Sequence, residues 1–310
     1  MLSRLKTGLL AVTALLGCAF APMAQAEALT HVKTAQAEAP ATVKPAIWVI
    51  SDADSTIYLL GSIHVMKPET PWLTPDIQSR FDNAQDVWFE IPDLDDADTA
   101  KPIAQKYMID PTGRMAAGLM PEELEIIAEL LEPLDYRTLQ IDYYRKWAVG
   151  LLITMQQVKK LGYVTDTGVD VTLMKQAREA GKGVHGFETM ESQMQALVPE
   201  TEADELAGLR ATLYDFEVRP KDVDDLFSAW KQGDTEALTR LMIDKMQAED
   251  PKSYQRLIVE RNAAWEPQIE QILAGKGTVF ITVGAGHLVG PDSVIAMLKQ
   301  HGITAERVAY

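Results

Sequence analysis

Two short segments, far apart in the chain, obey the same local rule, and together they constrain the fold more than anything else in it. Gly61-Ser62-Ile63-His64 ends the apolar run Ile57-Tyr58-Leu59-Leu60, and Gly284-Ala285-Gly286-His287 ends the run Val279-Phe280-Ile281-Thr282-Val283. Both read Gly-x-x-His directly after a strand-like segment. A glycine there lets the backbone turn sharply or approach another group closely. The histidine then emerges at the carboxyl end of a strand, the edge where open α/β sheets bind ligands. The chain has 5 histidines in 310 residues. Two of them in one matched context outweigh the alternative of unrelated core histidines beside loop glycines.

The pattern around these motifs predicts an α/β fold: a central mixed sheet carrying both Gly-x-x-His motifs, with a large helical insertion between them. Ile47–Ile50 and Thr56–Leu60 flank the turn residues Asp52-Ala53-Asp54-Ser55, which reads as a hairpin. Thr74–Ala84 is helical, and Val87–Ile91 is a buried strand with one carboxylate, Glu90, near its end. Apolar spacing predicts helices over Pro121–Leu131 and Tyr136–Leu161. Thr167-Gly168-Val169-Asp170 reads as a capping box for a helix running to Ala180, with Gly181 as its stop. A strand Val184–Glu188 feeds a helix from Thr189, and further helices cover Ala203–Glu217, Val223–Lys231, Thr235–Met246 and Tyr254–Ala274. The chain closes with the Val279–Val283 strand, a helix over Pro291–Gln300 and a strand over Thr304–Ala309, a βαβ unit in outline. If both chain ends share one sheet, His64 and His287 meet.

The amino terminus reads as a leader rather than as fold. Arg4 and Lys6 precede an apolar stretch from Gly8 to Phe20, and Ala24-Gln25-Ala26 fits a small-x-small cleavage site, so residues 1–26 are expected to be a signal peptide. The apolar stretch falls short of the roughly 18 to 20 residues of a span. A rival reading makes Leu15-Leu16-Gly17-Cys18 a lipoprotein signal, with Cys18 as the lipid anchor. Cleavage after Ala26 leaves no cysteine, which excludes thiol nucleophiles and thiolate metal sites. Residues 27–45, which include His31, read as a flexible linker, and 46–310 as the folded domain. The leader takes two positive charges with it, so the whole-chain charge of −16 becomes −18. Such a surface repels nucleic acid and anionic lipid. The expected location is periplasmic or secreted.

A carboxylate on a buried strand is costly unless it is paired, hydrogen-bonded or bound to a metal. Two neutral imidazoles and one carboxylate suit zinc, manganese, iron or cobalt, so His64, Glu90 and His287 are the candidate ligands. A variant keeps the histidines as ligands and makes Glu90 the general base, and another is metal-free histidine acid/base chemistry. Arg261 is a candidate for stabilising an oxyanion or a substrate carboxylate, against a surface ion pair, and Asn262 for donating a hydrogen bond. His185, beside Glu188, reads as core or as an outer partner of the site. Other templates fail: the sequence has no His-Glu-x-x-His helix, no Gly-x-Ser-x-Gly elbow and no phosphate-binding Gly-x-x-x-x-Gly-Lys loop.

These segments, taken in order, resemble the TraB/GumN family, whose animal relatives include the Tiki proteases. The resemblance rests on Tyr58–His64, Trp88-Phe89-Glu90, Gly168-Val169-Asp170, Gly186-Phe187-Glu188-Thr189 with Gln193, Ala229-Trp230-Lys231-Gln232-Gly233-Asp234, Glu260-Arg261-Asn262 and Val283–Gly290. It covers Ile47 to Tyr310. It implies an α/β fold similar to those of erythromycin esterase and the haem-binding ChaN proteins, and an active centre of the two histidines and the glutamate. From the Tiki branch it implies a metal-dependent peptidase using manganese or cobalt; zinc also suits the donor set. Tyr144-Arg145-Lys146-Trp147 lacks the Pro-Trp pair expected in that helix, which detaches substrate specificity from the resemblance. The expected function is therefore an exported metal-dependent hydrolase acting on a peptide or other small amide. The alternatives are a haem- or metal-binding envelope protein without turnover, and a structural envelope protein.

Overall fold

The computed structural model describes residues 43–93, 96–132, 134, 140–218 and 221–310. The expected signal peptide, the Cys18 anchor and His31 lie outside them. The segment read as a linker is already packed at its end: Val43 is buried, and the Lys44 N–H donates to the Lys231 carbonyl at 2.7 Å.

Six strands form one mixed sheet in the order β4-β3-β5-β2-β1-β6. They are β1 (Ile47–Ser51), β2 (Ser55–Ser62), β3 (Asp86–Phe89), β4 (Gly183–Gly186), β5 (Gly277–Gly284) and β6 (Glu306–Arg307). The β1–β2 hairpin forms as expected. The side chain of Asp52 closes its turn by accepting from the Ser55 N–H at 2.9 Å. β2, β5, β3 and β4 run parallel, and β5 lies between β2 and β3 in the middle of the sheet. That order explains the apolar sequence of β5, whose residues Val279 to Gly284 are all buried. It also brings the carboxyl ends of β2, β3 and β5 side by side.

α1 (Pro75–Asn83) lies between β2 and β3; the helices that follow fill the long connections from β3 to β4 and from β4 to β5. α2 (Ala97–Met108) falls in a stretch left unassigned by pattern, because Pro102 and scattered polar residues hide its periodicity. α3 (Pro121–Leu131) matches expectation. Of the expected Tyr136–Leu161 helix, positions 136–139 lie outside the described residues; beyond them a 3₁₀ turn, Ile141–Tyr143, precedes α4 (Lys146–Lys160), and extended backbone at Tyr144 and Arg145 separates them. α4 packs on α3 and on α7 (Glu202–Val218) around Ile127, Val149, Ile153 and Leu209, a core separate from the one on the sheet. α5 (Val169–Glu179), α6 (Met190–Leu197) and α8 (Asp222–Gln232) follow the expected spans.

Two helices widen by a π-turn. α9 (Thr235–Leu238) continues through Thr239–Asp244 into α10 (Lys245–Glu249). α11 (Pro251–Tyr254) continues through Gln255–Val259 into α12 (Glu260–Leu273). Such turns shift the register of every later side chain, and they recur at functional sites. Here the second one immediately precedes Arg261 and Asn262. The last helix, α13 (Val294–Gln300), starts three residues later than expected, because Ser293 caps it by accepting from the Ala296 N–H at 3.2 Å. β6 is two residues long and pairs with β1, not β5, so the closing βαβ unit crosses over β2 and β1 to the sheet edge.

The capping-box reading of Thr167–Asp170 fails. Thr167 Oγ1 donates to the carbonyls of Met66 and Val164, Gly168 is the N-cap with no side chain to offer, and Asp170 turns away from the helix end. The segment is instead docked on the first Gly-x-x-His motif: the Val169 N–H donates to the Ile63 carbonyl at 3.0 Å. A Cβ on Gly168 would lie 2.3 Å from the His64 carbonyl oxygen. Replacing Gly168 by alanine must push this backbone apart. Gly168→Ala is expected to cost about 2 kcal/mol and lower the thermal midpoint by roughly 4–8 °C. Calorimetry showing an unchanged midpoint would contradict this packing.

Candidate functional site

The three adjacent strand ends deliver three side chains to one point. His64 follows β2, Glu90 follows β3 and His287 follows β5; their residue exposures are 4%, 4% and 3%. His64 Nε2 is 4.0 Å and His287 Nε2 is 3.9 Å from the same oxygen, Glu90 Oε1. The topology thus joins residues from opposite ends of the sequence. The first motif is pinned by Trp230 of α8, whose Nε1–H donates to the Gly61 carbonyl at 2.8 Å. After that helix, Gly233 takes a left-handed φ of 63° and Asp234 caps α9, which is the structural content of the Trp-x-x-Gly-Asp segment.

Each imidazole is oriented from behind. His64 Nδ1 lies 2.5 Å from Asp170 Oδ2, so its Nδ1–H is donated to that carboxylate and Nε2 is left facing Glu90. His287 Nδ1 lies 2.6 Å from Asn262 Oδ1. The Asn262 amide is itself fixed, because its Nδ2 donates to the Asp292 carbonyl at 2.7 Å. His287 therefore donates from Nδ1 and accepts at Nε2, where Arg261 Nη1 donates at 3.1 Å. Burial, then the neighbouring Arg261 guanidinium, holds the His287 imidazole well below its ordinary pKa, in the neutral form. Its ring packs on Trp265 with centroids 4.4 Å apart.

Arg261 is no surface ion pair. It is 7% exposed and joins three groups: Nη2 donates to Glu90 Oε2 at 2.7 Å, Nε to Glu188 Oε1 at 2.8 Å, and Nη1 to His287. Burial alone would lower its pKa, but the carboxylates of Glu90 and Glu188 outweigh that and hold it above the ordinary value. Glu90 also accepts from Gln193 Nε2 at 2.6 Å and from the Gly284 N–H at 2.7 Å. Burial nonetheless pushes the Glu90 carboxyl up, against the pull of Arg261 and His64. Glu188 Oε1 takes a second donor, Trp265 Nε1, at 2.8 Å, while its Oε2 is buried without a hydrogen-bond partner.

The network revises the role expected of Asn262. Its amide is committed to Asp292 and His287, so it positions an imidazole rather than offering a hydrogen bond to a substrate. His185 is neither core nor close to the site: on edge strand β4 its side chain is 44% exposed, paired with Asp86 at 2.9 Å and stacked on Trp88. In the sequence Asp170 and Gln193 stand only as parts of motifs, and nothing local marks Trp265. An acidic residue in the first turn of a helix already has a local explanation, so only the tertiary contact reveals Asp170 as the partner of His64.

A divalent ion is the group to test against this donor set. Two carboxylates, Glu90 and Glu188, share the Arg261 guanidinium while a third, Asp170, accepts from His64, and Glu188 Oε2 is buried without a hydrogen-bond partner. Both histidines have their Nδ1 atoms tied to outer partners, the arrangement that presents Nε2 to a metal. Glu90 Oε1 has one N–H donor and a lone pair to spare. Ligands around a tetrahedral ion with bonds of about 2 Å stand about 3.3 Å apart, whereas each Nε2 is 3.9–4.0 Å from Glu90 Oε1 and the three residues do not gather their donor atoms within 4.8 Å of one another, so both imidazoles must close inward. Arg261 Nη1 must also leave His287 Nε2. With those adjustments the residues fit an ion.

Two outcomes follow without any ion. Arg261→Met leaves buried carboxylates uncompensated and is expected to cost about 3–5 kcal/mol in urea unfolding, far above a surface substitution. The pH dependence has a definite sign. Unfolded, His287 takes up a proton near pH 6.5; folded, it does so only well below that. Stability should therefore fall as pH drops below about 6.5, at up to about 1.4 kcal/mol per pH unit. His287→Gln should remove that slope. Glu90 acts oppositely: its raised folded value contributes stability below the unfolded carboxyl range that is lost as pH rises through the folded value.

The model of the TraB/PrgY/gumN family matches residues 46–307. YbaP of Escherichia coli K12, a protein described as uncharacterised, is 23% identical over 259 residues, covering 82% of this chain and 92% of its own. A Treponema pallidum (strain Nichols) protein is 22% identical over 273 residues, covering 82% and 80%. Metalloprotease TIKI2 of Danio rerio is 25% identical over 348 residues, covering 93% of this chain and 66% of its own. No solved structure matches significantly. With the family model spanning nearly the whole described domain, this chain belongs to the TraB/PrgY/gumN family.

Proposed function

We propose that this protein is an exported, metal-dependent hydrolase that cleaves a peptide or a related small amide, with His64, Glu90 and His287 as ligands of the ion. The observation that carries the reading is the pair of Nε2 atoms facing one Glu90 oxygen, each ring held from behind by its own acceptor. The similarity to a metalloprotease supports it. The expected leader supports export, and no helix among the described residues is long and apolar enough to cross a membrane. Manganese, cobalt and zinc all suit two imidazoles and a carboxylate.

When bound, such an ion supplies an activated water and polarises a carbonyl. The chain's own residues do the rest. Asp170 and Asn262 fix the tautomers of His64 and His287. Gln193 and the Gly284 N–H hold the Glu90 carboxylate in place. Arg261, released from His287, keeps its contacts to Glu90 and Glu188 and leaves Nη1 free to donate to the oxygen on which negative charge develops. The surrounding apolar residues, Trp265 and Ile258 among them, exclude water and strengthen each of these interactions.

The test is elemental analysis of protein purified without a metal-affinity tag, combined with a peptide-library cleavage assay in added manganese, cobalt or zinc. The wild type should hold near-stoichiometric metal and cleave. His64→Ala and His287→Ala, still folded, should lose activity roughly a thousandfold. Asp170→Asn should weaken metal affinity by about 10–100-fold, as loss of an outer partner does. Cleavage that survives unchanged in the histidine variants would refute the reading.

A further inference from the structure

The second half of α12 carries another set of metal-type donors, away from the strand ends. Glu266 and Glu270 stand one turn apart, so both carboxylates emerge on one face of the helix. His301, directly after α13, turns its ring to that face. Its Nδ1 lies 2.7 Å from Glu266 Oε1 and 2.9 Å from Glu270 Oε1. The three donor atoms all lie within 4.8 Å of one another, and among the described residues no other histidine and acid trio is so gathered.

A plain ion pair leaves something unexplained here. Nδ1 carries one proton, and that proton is donated to Glu270. Glu266 is only 6% exposed, and its buried Oε1, 2.7 Å from the same nitrogen, has no donor other than that one shared proton. A buried carboxylate oxygen left with only a share of one donor is under-compensated for the water it has lost. A cation at the centre of the trio would displace the Nδ1 proton to solvent or to Nε2 and meet both carboxylate oxygens and the freed imidazole lone pair at once.

We propose that Glu266, Glu270 and His301 form a divalent-metal site of zinc type, separate from the cluster at the strand ends. Two carboxylates and one imidazole are a ligand set that zinc accepts, with water completing the shell. The His301 side chain is 57% exposed, which provides the entry path and the room for that water. The donors stand slightly closer than the roughly 3.3 Å of a tetrahedral shell, and the exposed ring can move outward by the difference. The ion would tie the far half of α12 to the end of α13. α12 carries Arg261, Asn262 and Trp265 toward its start, and α13 follows the loop that holds His287, so this clamp fixes two elements that present the strand-end cluster.

The experiment is a zinc titration of the full chain by calorimetry, comparing wild type with His301→Ala and, as a second variant at a partly exposed helix position, Glu270→Gln. The readout is the difference between proteins, so it does not depend on whether the strand-end cluster takes a metal. The expected result is one fewer zinc equivalent, or at least tenfold weaker binding at one site, in each variant. Zinc should also raise the thermal midpoint of the wild type more than that of either variant. Equal stoichiometry, affinity and zinc-induced shift in all three would overturn the proposal and leave a histidine shared between two glutamates.

Discussion

One buried guanidinium connects everything at the strand ends. Arg261 reaches Glu90 after β3, Glu188 after β4 and the imidazole of His287 after β5. It also lies over the Trp265 ring, 4.8 Å from its centroid. A charged group this deeply buried survives only because its partners are charged and well placed. Those partners come from three different strands, so the pairing holds the loops beyond β3, β4 and β5 in one arrangement. The π-turn at Gln255–Val259 sets the helical register from which Arg261 and Asn262 both reach His287.

The same network explains why the cluster suits an ion. One guanidinium serves two carboxylates, burial still raises the Glu90 carboxyl, and one Glu188 oxygen is left without a hydrogen-bond partner. Arg261 holds the lone pair of His287 that a metal would take. In this state the guanidinium stands in for part of the missing charge.

Much of this was legible in the sequence where local pattern and tertiary role coincide. The hairpin, the apolar β5 and the two Gly-x-x-His segments are patterned because strand ends in the middle of a sheet must be apolar, tightly turned and close to their neighbours. Glu90 stood out because a carboxylate at the end of an apolar strand has no local explanation. Asp170 did not, since an acid at a helix start explains itself. Asn262 is visible in its motif but its contacts to His287 and Asp292 are not, because an amide's partners are tertiary. α2 was hidden by Pro102 among polar residues, and β6 was overestimated because pairing with β1, not propensity, limits it to two residues. Glu266 and His301 are 35 positions apart, and nothing in either segment announces the contact.

The central claim is that His64, Glu90 and His287 close on a divalent ion when Arg261 lets go of His287. Anomalous diffraction from crystals soaked in manganese tests it most directly. The account predicts a strong peak within bonding distance of His64 Nε2, His287 Nε2 and a Glu90 oxygen, with Arg261 Nη1 moved off the imidazole. No peak at that point, with Arg261 still donating to His287 at saturating manganese, would contradict it.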